Sequence, residues 1–487
     1  MSRRIVLGPF NRVEGDLEVT LDIADGVVRS AQVNSPLYRG FEQILQGKAP
    51  EDALVFVPRI CGICSVAQSA AAAKALAAAM GLQAPPNGVL AADLTLAAEN
   101  LADHLTHFYL FFMPDFARSA YAKRAWFAGV ESRFKAQVGT AADQVLSARA
   151  EFMRALGLLA GKWPHTLSLQ PGGSSAPLQA SDKIRLYRQL RSFRHFCETV
   201  LFGDSLEAIT ALDSEAALAQ WLERHQGGSD FARFLTIADD LKLHTLGRAT
   251  DVFISYGAYD QGGELWLPRG VWDAKNGQGV ASLDPTQISE DLSHAWYAEA
   301  EAPQSPRIGS TLPDADKAAA YSWCKAPRLA GRVVECGALA RQLVAGHPLV
   351  RDLVARHGGN VKSRVVGRLL EIARVLPAME RWAQALQPGE PYCAFGEMPD
   401  EAESVGLVEA ARGSLGHWLT VRRGRIQNYQ IIAPTTWNFS PRDSSGTPGA
   451  LEQALAGTMV AGDQDDTLPS VQHIVRSFDP CMVCTVH

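Results

Sequence analysis

Apolar and polar positions alternate through residues 5–35 in two runs. Such alternation is typical of strands that bury one face. Between the runs, Ala24-Asp25-Gly26 has the composition of a tight hairpin turn. The pattern therefore predicts an N-terminal β region built around a hairpin.

From about residue 50 to residue 205 the spacing of apolar positions becomes helical. The segment Ser65–Gly81 is rich in alanine, ends in glycine and is followed by Pro85-Pro86, and these are signals for the end of a helix. Further helical patterns lie near 140–160 and 181–201. We expect this region to form a helical core.

The most apolar stretch of the chain is Leu96–Phe116. It contains Glu99, Asp103 and two histidines, and a proline lies near its end. Charged side chains are costly inside a bilayer. The stretch therefore predicts a buried helix, and we expect no direct membrane insertion.

The second half of the chain is less regular. Residues 250–315 are rich in Gly, Pro, Trp and Tyr, which predicts loops with short strands. Helical patterns return near 335–345 and 363–386. Residues 405–433 predict a turn that leads into a hairpin, with Arg423-Gly424 near its bend.

No internal repeat, low-complexity segment or clear linker divides the chain. The sequence predicts an α+β fold, predominantly helical, as one large domain over residues 1–487. A central bundle of long helices would carry small peripheral sheets and hairpins. Its parts would be an N-terminal β region (5–35), the helical core (50–205) and a C-terminal hairpin with the cysteine-bearing end (405–487).

Composition narrows the class of protein. The 487 residues are 47% hydrophobic, which is enough for a large core, and the net charge is -6. No tract of Lys and Arg stands out, which argues against a nucleic-acid partner. The first residues lack the apolar run of a signal peptide, so we expect a cytoplasmic protein.

Eight cysteines are too few for a disulfide scaffold in so long a chain. Four of them form two CxxC pairs, Cys61 with Cys64 and Cys481 with Cys484. In a chain without a signal peptide, such pairs indicate metal or redox chemistry. The other four we expect to be small core residues: Cys197, Cys324, Cys336 and Cys393.

Four thiolates suit zinc, an iron–sulfur cluster, or nickel with iron. Zinc ribbons usually bring their pairs together within tens of residues, whereas these pairs lie more than 400 residues apart. A thioredoxin-like redox site would need a βαβ context that neither pair has. On spacing alone, a structural zinc site, a redox CxxC site and a catalytic metal centre all stay open.

Seven motifs, occurring in one order between residue 5 and the last residue, decide between these. Together they closely resemble the large subunit of the nickel–iron hydrogenases. The motifs are NRVEGD (Asn11–Asp16), YRGFE (Tyr38–Glu42), RICGIC (Arg59–Cys64), KWPH with GGSS (Lys162–Ser175), ARGSLGHW (Ala411–Trp418), APTTWNFSPRD (Ala433–Asp443) and DPCMVCTVH (Asp479–His487).

The resemblance implies a nickel–iron centre. Cys61, Cys64, Cys481 and Cys484 would bind nickel, and the second cysteine of each pair would also bridge to iron. In this family the iron carries carbon monoxide and two cyanides. Thiolates supply electron density to the metals, and a terminal thiolate can accept a proton.

The resemblance also implies a second metal site. His487 would bind Mg2+ or a similar divalent cation, together with Glu42 and the backbone carbonyl of Ile431. A carboxylate with a carbonyl is ordinary chemistry for a hard cation. Most relatives are made with a tail beyond this histidine, and some members lack it.

Further residues are implied to act around the centre. Glu14 matches the glutamate that passes protons away from the bridging or terminal cysteine, and Cys484 also counts among the implied catalytic residues. Arg412 would lie above the open metal position, beside Asp103 and Asp479, and would polarise H2. The positions that would contact the cofactor are Thr435, Gln68, Ala411 and Leu415. Asp103, His107 and Phe111 would form one helical stripe facing the metals.

Several positions depart from the energy-converting enzymes of the family. Gln68 stands where histidine is usual, and glutamine cannot carry a proton near neutral pH. Ile63 and Phe111 replace smaller residues that line the gas channel, so they should hinder O2 more than H2. These three resemble the regulatory, H2-sensing branch, whose members split H2 slowly and signal to a histidine kinase.

Electrons must leave, yet no four-cysteine iron–sulfur motif remains once the two pairs are used. The resemblance therefore implies an iron–sulfur small subunit as partner, in a heterodimer that could pair into a dimer of heterodimers. An uptake hydrogenase of ordinary turnover is the alternative function. An alternative of another class is a non-catalytic relative in which the cysteines hold a structural zinc ion.

Overall fold

The computed structural model describes residues 2–275, 279–460 and 468–485. Its α-helices, in chain order, are α1 Phe41–Leu45, α2 Ala53–Phe56, α3 Ser65–Met80, α4 Pro86–Thr106, α5 Phe127–Phe134, α6 Thr140–Ala160, α7 Ala180–Phe196, α8 Leu206–Thr210, α9 Glu215–Arg224, α10 Asp230–Asp240, α11 Ala338–Val344, α12 Pro348–His357, α13 Val361–Ala385, α14 Pro434–Asn438, α15 Ala450–Leu455 and α16 Pro469–Ser477.

Its strands are β1 Ser2–Leu7, β2 Glu18–Ala24, β3 Val27–Asn34, β4 Leu169–Gln170, β5 Gly173–Ser174, β6 Val252–Ser255, β7 Ala258–Gln261, β8 Glu264–Leu267, β9 Gly270–Asp273, β10 Val280–Ala281, β11 Ile288–Asp291, β12 Ala326–Leu329, β13 Ala402–Ala410, β14 Gly413–Arg422 and β15 Arg425–Ile432. They form small sheets of two or three strands. The predicted α+β class, with long helices at the centre and small sheets around them, is confirmed.

Four long helices make the central bundle. Helix α13 packs against α4 and α7, and α6 packs against the same two helices. Side chains on all sides of α13 are buried, as expected of a helix at the centre of a large core. The helix begins where the Asn360 side chain accepts a hydrogen bond from the Ser363 backbone N–H, 3.0 Å away, which caps its first turn.

The N-terminal strands β1, β2 and β3 form an antiparallel meander. The predicted turn between β2 and β3 is confirmed: Asp25 and Gly26 have φ of 53° and 72°. Two consecutive left-handed residues match the right-handed twist of a two-residue hairpin. A second meander, β13–β14–β15, turns at Arg423 and Gly424 in the same way. It has one strand more than the predicted hairpin.

Close packing of α3 on the C-terminal meander fixes where the first cysteine pair lies. Helix α3 packs against β13 and β14. A Cβ atom at Gly406 of β13 would lie 1.9 Å from the carbonyl oxygen of Ala71, so only glycine allows this approach. Helix α3 also ends as predicted, at Gly81 in the left-handed region.

Other predictions from the pattern have mixed outcomes. The stretch Leu96–Phe116 is buried and helical, as expected, and no helix among the described residues is long and apolar enough to cross a membrane. Residues 250–315 carry the expected short strands. Helices α8, α9, α10 and α12 were not predicted, and they are short, with between 5 and 11 residues each.

Candidate metal centre

The two CxxC pairs meet in the interior. The four sulfur atoms of Cys61, Cys64, Cys481 and Cys484 all lie within 4.8 Å of one another, and all four residues are buried. Cys61 Sγ lies 3.4 Å from Cys481 Sγ, and Cys64 Sγ lies 3.2 Å from Cys484 Sγ. None of them forms a disulfide.

Backbone contacts position the first pair. Cys64 is the residue directly before α3, so its sulfur stands at the helix N-terminus. The Arg39 side chain donates to the backbone carbonyls of Arg59, at 3.0 Å, and Ile60. The Ile63 backbone N–H points at Cys61 Sγ, 3.3 Å away. Helix dipole and N–H donors both favour ionised sulfur at this loop.

The second pair is tied to the N-terminal region. The Met482 backbone N–H donates to the carbonyl of Glu14 at 2.7 Å, and Glu14 N–H donates to the Pro480 carbonyl at 3.4 Å. The Thr435 hydroxyl accepts the Cys481 backbone N–H at 3.1 Å. These contacts hold a segment near the C-terminus in the core.

The donor set fits the implied nickel–iron group. Four soft sulfur atoms in so small a volume are ligands for a thiophilic metal. Without a cation the four thiols cannot all ionise, because negative charges so close together repel one another. Neighbouring sulfur atoms therefore keep protons between them. Hydrogen bonds to Cys481 and Cys484, together with burial, raise the pKa of the Cys64 thiol well above its ordinary value. A divalent metal would displace these protons.

A buried guanidinium lies beside the sulfur cluster. Arg412 donates to Asp103 through Nη1 at 2.5 Å and Nη2 at 3.2 Å, and also through Nη2 to Asp479 Oδ1 at 3.1 Å. Its Nε donates to the Asp479 carbonyl at 3.0 Å. These bonds fix the plane of the guanidinium.

The two carboxylates differ in charge state. Burial raises the pKa of Asp103 to about 7, although Arg412 opposes the rise. For Asp479 burial acts in the same direction, but Arg412 and other positive groups outweigh it and lower its pKa. Asp479 also has a left-handed backbone, with φ of 61°. The Arg412 guanidinium thus keeps Asp479 ionised, whereas Asp103 titrates near neutral pH.

Glu14 has the properties of a proton carrier. It is partly buried, and its backbone pairs with that of Cys481. Desolvation raises the pKa of its carboxyl, and the charge of Cys61 adds to the rise. A carboxyl with a raised pKa next to a thiolate exchanges protons with it more readily than an ordinary carboxyl does.

The predicted stripe of Asp103, His107 and Phe111 crosses the end of an α-helix, and its orientation towards the metals stays a prediction. Helix α4 ends at Thr106 and continues as a π turn, His107–Phe112. A π turn has more residues per turn, so residues four apart are less closely aligned there than in an α-helix. Phe112, not Phe111, stacks on His107, with 5.8 Å between ring centroids. His107 itself faces the Arg476 carbonyl, 2.7 Å from its Nε2.

The residues expected at the second metal site are partly in place. Glu42 is fully buried, and the Ile431 backbone N–H donates to its Oε1 at 2.7 Å. Lys325 Nζ lies 3.0 Å from Glu42 Oε1 and 2.8 Å from Glu290 Oε1. Two carboxyl groups thus face one ammonium, and burial raises the pKa of Glu290 to about 7. His487 lies outside the described residues.

The residues implied to contact the cofactor are all buried: Thr435, Gln68, Ala411 and Leu415. Ile63, a predicted gas-channel residue, is partly buried between Cys61 and Cys64, and Phe111 is partly buried in the π turn. Of the scattered cysteines, Cys393 is only partly buried, and the other three are core residues as predicted.

The sequence did not reveal the hydrogen-bond partners of Gln68 and Glu42. Gln68 Oε1 lies 2.8 Å from His417 Nε2, and His417 Nδ1 lies 2.8 Å from the Tyr429 hydroxyl. Lys325, beside Glu42, was also missed. One signal could have indicated His417. It lies in the ARGSLGHW motif, two residues after Leu415, and residues two apart on a strand point to the same face of the sheet.

Comparisons with known proteins agree with this geometry. The family model described as nickel-dependent hydrogenase matches residues 39–129 and 142–487. The hydrogenase-2 large chain of Escherichia coli (strain K12) is 28% identical, over 100% of this chain and 97% of its own length. The uptake hydrogenase large subunit of Rhodobacter capsulatus is 26% identical, over 100% and 95%.

A solved structure has the same fold throughout. The Ni-Fe-Se hydrogenase from D. vulgaris Hildenborough, in the reduced state, superposes with a TM-score of 0.84 and 30% sequence identity. The match covers 100% of both chains.

Proposed function

The chain belongs to the nickel-dependent hydrogenase family, and we propose that it is a hydrogenase large subunit that serves as an H2 sensor. The observation that carries the hydrogenase activity is the meeting of four buried cysteine sulfurs beside a fixed arginine. When bound by these sulfurs, nickel and iron supply an electron-rich site at which H2 is split. We take carbon monoxide and two cyanides as the remaining iron ligands.

The side chains around that site have separate tasks. Arg412, held by Asp103 and Asp479, presents a fixed positive charge above the sulfurs. The Arg412 guanidinium would polarise H2. It need not reorient during the reaction, because its bonds to Asp103 and Asp479 already hold it in place.

Protons would leave through Glu14. A terminal sulfur, that of Cys481 or Cys61, is proposed to accept a proton and to hand it to the Glu14 carboxyl, which lies beside these two residues. The raised pKa of Glu14 suits this transfer, because the carboxylate then binds a proton with an affinity closer to that of the cysteine sulfur. The backbone pairing of Glu14 with Cys481 keeps the carboxyl beside the cluster.

The proposal of a sensor rests on three residues. Gln68 cannot titrate, and its carbonyl is engaged by His417, so this position cannot carry protons. Ile63 and Phe111 are larger than the residues usual in the gas channel, and larger side chains hinder O2 more than H2. Slow, O2-tolerant turnover suits a sensor that signals to a histidine kinase.

We further propose the partners and the second metal. An iron–sulfur small subunit would take the electrons, in a cytoplasmic heterodimer, since no four-cysteine cluster motif remains in the chain once the two pairs are used. A Mg2+ ion, or a similar divalent cation, would bind Glu42 and the Ile431 carbonyl, with His487 as the third protein ligand. Both proposals follow the family resemblance.

The second candidate is an uptake hydrogenase of ordinary turnover. It is favoured by the printed names of relatives, such as the uptake enzyme of Rhodobacter capsulatus. Turnover in air separates the two candidates. The heterodimer should oxidise H2 slowly, at a rate that O2 does not change. Fast H2 oxidation that is lost within minutes of exposure to O2 would favour the uptake enzyme.

A further inference from the structure

Arg412 projects from a buried hairpin turn. Strand β13 ends at Ala410 and β14 begins at Gly413, and these two residues pair, so Ala411 and Arg412 form the turn between them. Turns usually lie at the surface, where water satisfies their backbone groups. Here Ala411 and Arg412 are both buried, so the carbonyl groups of this turn need partners within the protein.

A second guanidinium supplies those partners. Arg341, on helix α11, donates through Nη1 to the Ala410 carbonyl at 2.7 Å and through Nη2 to the Ala411 carbonyl at 3.0 Å. The same guanidinium donates to Glu371 through Nε at 2.9 Å and Nη2 at 2.6 Å, and to Glu409 through Nη1 at 2.8 Å. All five of its N–H groups are thus engaged, which fixes the plane of the fork.

The turn also packs closely on the residues that precede α11. A Cβ atom at Gly413 would lie 2.6 Å from Cys336 Sγ and 2.6 Å from the Gly337 backbone nitrogen, so only glycine allows this approach. The start of α11, and with it Arg341, therefore lies directly against the turn.

Helix α4 supports both guanidinium groups through two consecutive residues. Asp103 accepts hydrogen bonds from Arg412. The next residue, His104, has its Nε2 3.0 Å from Oε1 of Glu371, the carboxylate that binds Arg341. Arg412 is thus held at its side chain by Asp103, while the backbone before it is held by Arg341.

We propose that Arg341 is a positioning residue for Arg412, because it clamps the two carbonyl groups that precede Arg412 and so fixes where its guanidinium lies. Arg341 acts through the backbone of the turn, since it has no N–H group left to offer to H2. A charge already fixed in place stabilises a transition state better than one that must reorient. The inference rests on the proposed role of Arg412 in splitting H2.

Hydrogen exchange in the purified heterodimer tests the clamp without any metal chemistry. Arg341→Lys keeps the positive charge but lacks the planar fork, so it cannot bond both carbonyl groups and both carboxylates. We expect the backbone N–H groups of residues 410–414 to exchange roughly tenfold faster in this variant, because hydrogen bonds to a charged group are lost. The turn at Arg423-Gly424 of the same sheet is the internal control and should not change.

Turnover gives the second readout. The rate of H2 oxidation per bound nickel should fall roughly tenfold in Arg341→Lys, mainly in kcat, because a less ordered Arg412 stabilises the transition state less. In an Arg412→Lys background, Arg341→Lys should add little further loss, since both act through one guanidinium. Arg194→Lys is the matched control, because this arginine of α7 also bridges carboxylates, those of Glu198 and Glu380. It should change neither readout.

Unchanged exchange in the turn, or a loss of rate that adds fully to that of Arg412→Lys, would overturn the inference. A loss of rate that only follows a lower nickel content would do the same, because it would show a general effect on folding. Should Arg341→Lys fail to assemble, Glu371→Gln decides, since it weakens the hold on Arg341 and should speed exchange in the same turn by less. If exchange responds as expected but the wild-type protein oxidises no H2, the proposed function fails and the clamp stands.

Discussion

The sulfur atoms of Cys61 and Cys481 lie 3.4 Å apart, although 420 residues separate them along the chain. The contact exists because the N-terminal loop around Glu14 pairs with the backbone of Cys481, while Arg39 holds the loop before Cys61. Two distant segments thus share one metal centre, and its integrity depends on the whole fold.

The guanidinium of Arg412 should be needed for turnover and not for assembly. Arg412→Lys keeps the positive charge but cannot reach Asp103 and Asp479 together. We expect H2 oxidation to fall by about 10²-fold, as for loss of other fixed charge-stabilising donors. The measurement is the dye-linked rate of the heterodimer.

The matched control is Arg422→Lys, at a partly exposed position that pairs with Glu403. Infrared bands of the Arg412→Lys variant should persist, because Arg412 binds no metal. An unchanged rate would contradict the assigned role.

Glu14 should carry protons away from the centre. Glu14→Gln keeps the backbone bonds to the Cys481 segment but cannot accept a proton. We expect turnover to fall by roughly 10²- to 10⁴-fold, the usual worth of general acid–base catalysis. Glu18→Gln, four residues on, is the control and should leave the rate unchanged.

The pH dependence follows from the raised pKa of Glu14. A proton acceptor must be ionised to work, so wild-type H2 oxidation should decline as the pH falls through this raised pKa. Glu14→Gln should lose that decline. A variant with the wild-type rate and pH profile would remove Glu14 from the pathway.

Asp115 should stabilise the fold at neutral pH. This buried carboxylate contacts Arg476 at 2.8 Å, Arg118 at 2.8 Å and also Arg12. Burial alone would raise its pKa, but a hydrogen bond to His473 and the charges of Arg476 and Arg12 outweigh this and hold the pKa well below its ordinary value. Asp115→Asn should cost about 3–5 kcal/mol of unfolding free energy at pH 7.

The sign of the pH dependence is fixed by that lowered pKa. Stability from Asp115 is fully present above the pKa of an unfolded aspartate, about 4, and is lost as the pH falls towards the folded value. The variant should therefore lose less stability than wild type between pH 5 and pH 2, roughly the range of carboxylate titration. Denaturant melts at several pH values check this, with the exposed Asp213→Asn as control. Parallel curves would contradict it.

The proposed Mg2+ site should appear as metal-dependent stability. A free Mg2+ concentration of 100 times the Kd would add about 2.7 kcal/mol. Glu42→Gln removes a charged ligand, so this gain should disappear, whereas Glu401→Gln at the exposed meander edge should retain it. Thermal melts with chelator and with Mg2+ give the comparison. Equal Mg2+ responses in wild type and Glu42→Gln would refute the site.

Local features of the fold could be predicted from the sequence. The turn at Asp25-Gly26 and the end of α3 at Gly81 depend on neighbouring residues, so composition and spacing were sufficient. The π turn at His107–Phe112 could not be foreseen, because α and π turns share the same apolar composition. Within this turn the Phe112 ring stacks on the His107 ring.

The cysteines of the metal centre could be predicted from the sequence, but the contacts of the residues around them could not. Spacing alone left zinc, redox and catalytic interpretations open for the cysteines, and only the resemblance decided between them. The partners of Gln68 and Glu42 are His417 and Lys325, which lie hundreds of residues away in the sequence. Nothing local to those residues indicates such bonds, since tertiary packing alone creates them.

Metal analysis combined with infrared spectroscopy of the purified protein under H2 tests the central claim most directly. We expect one nickel per large subunit, iron in excess of nickel because the proposed small subunit carries iron–sulfur clusters, bands from iron-bound carbon monoxide and cyanide, and loss of nickel in Cys61→Ser and Cys481→Ser. Zinc without nickel, in a protein that lacks those bands, would contradict the account.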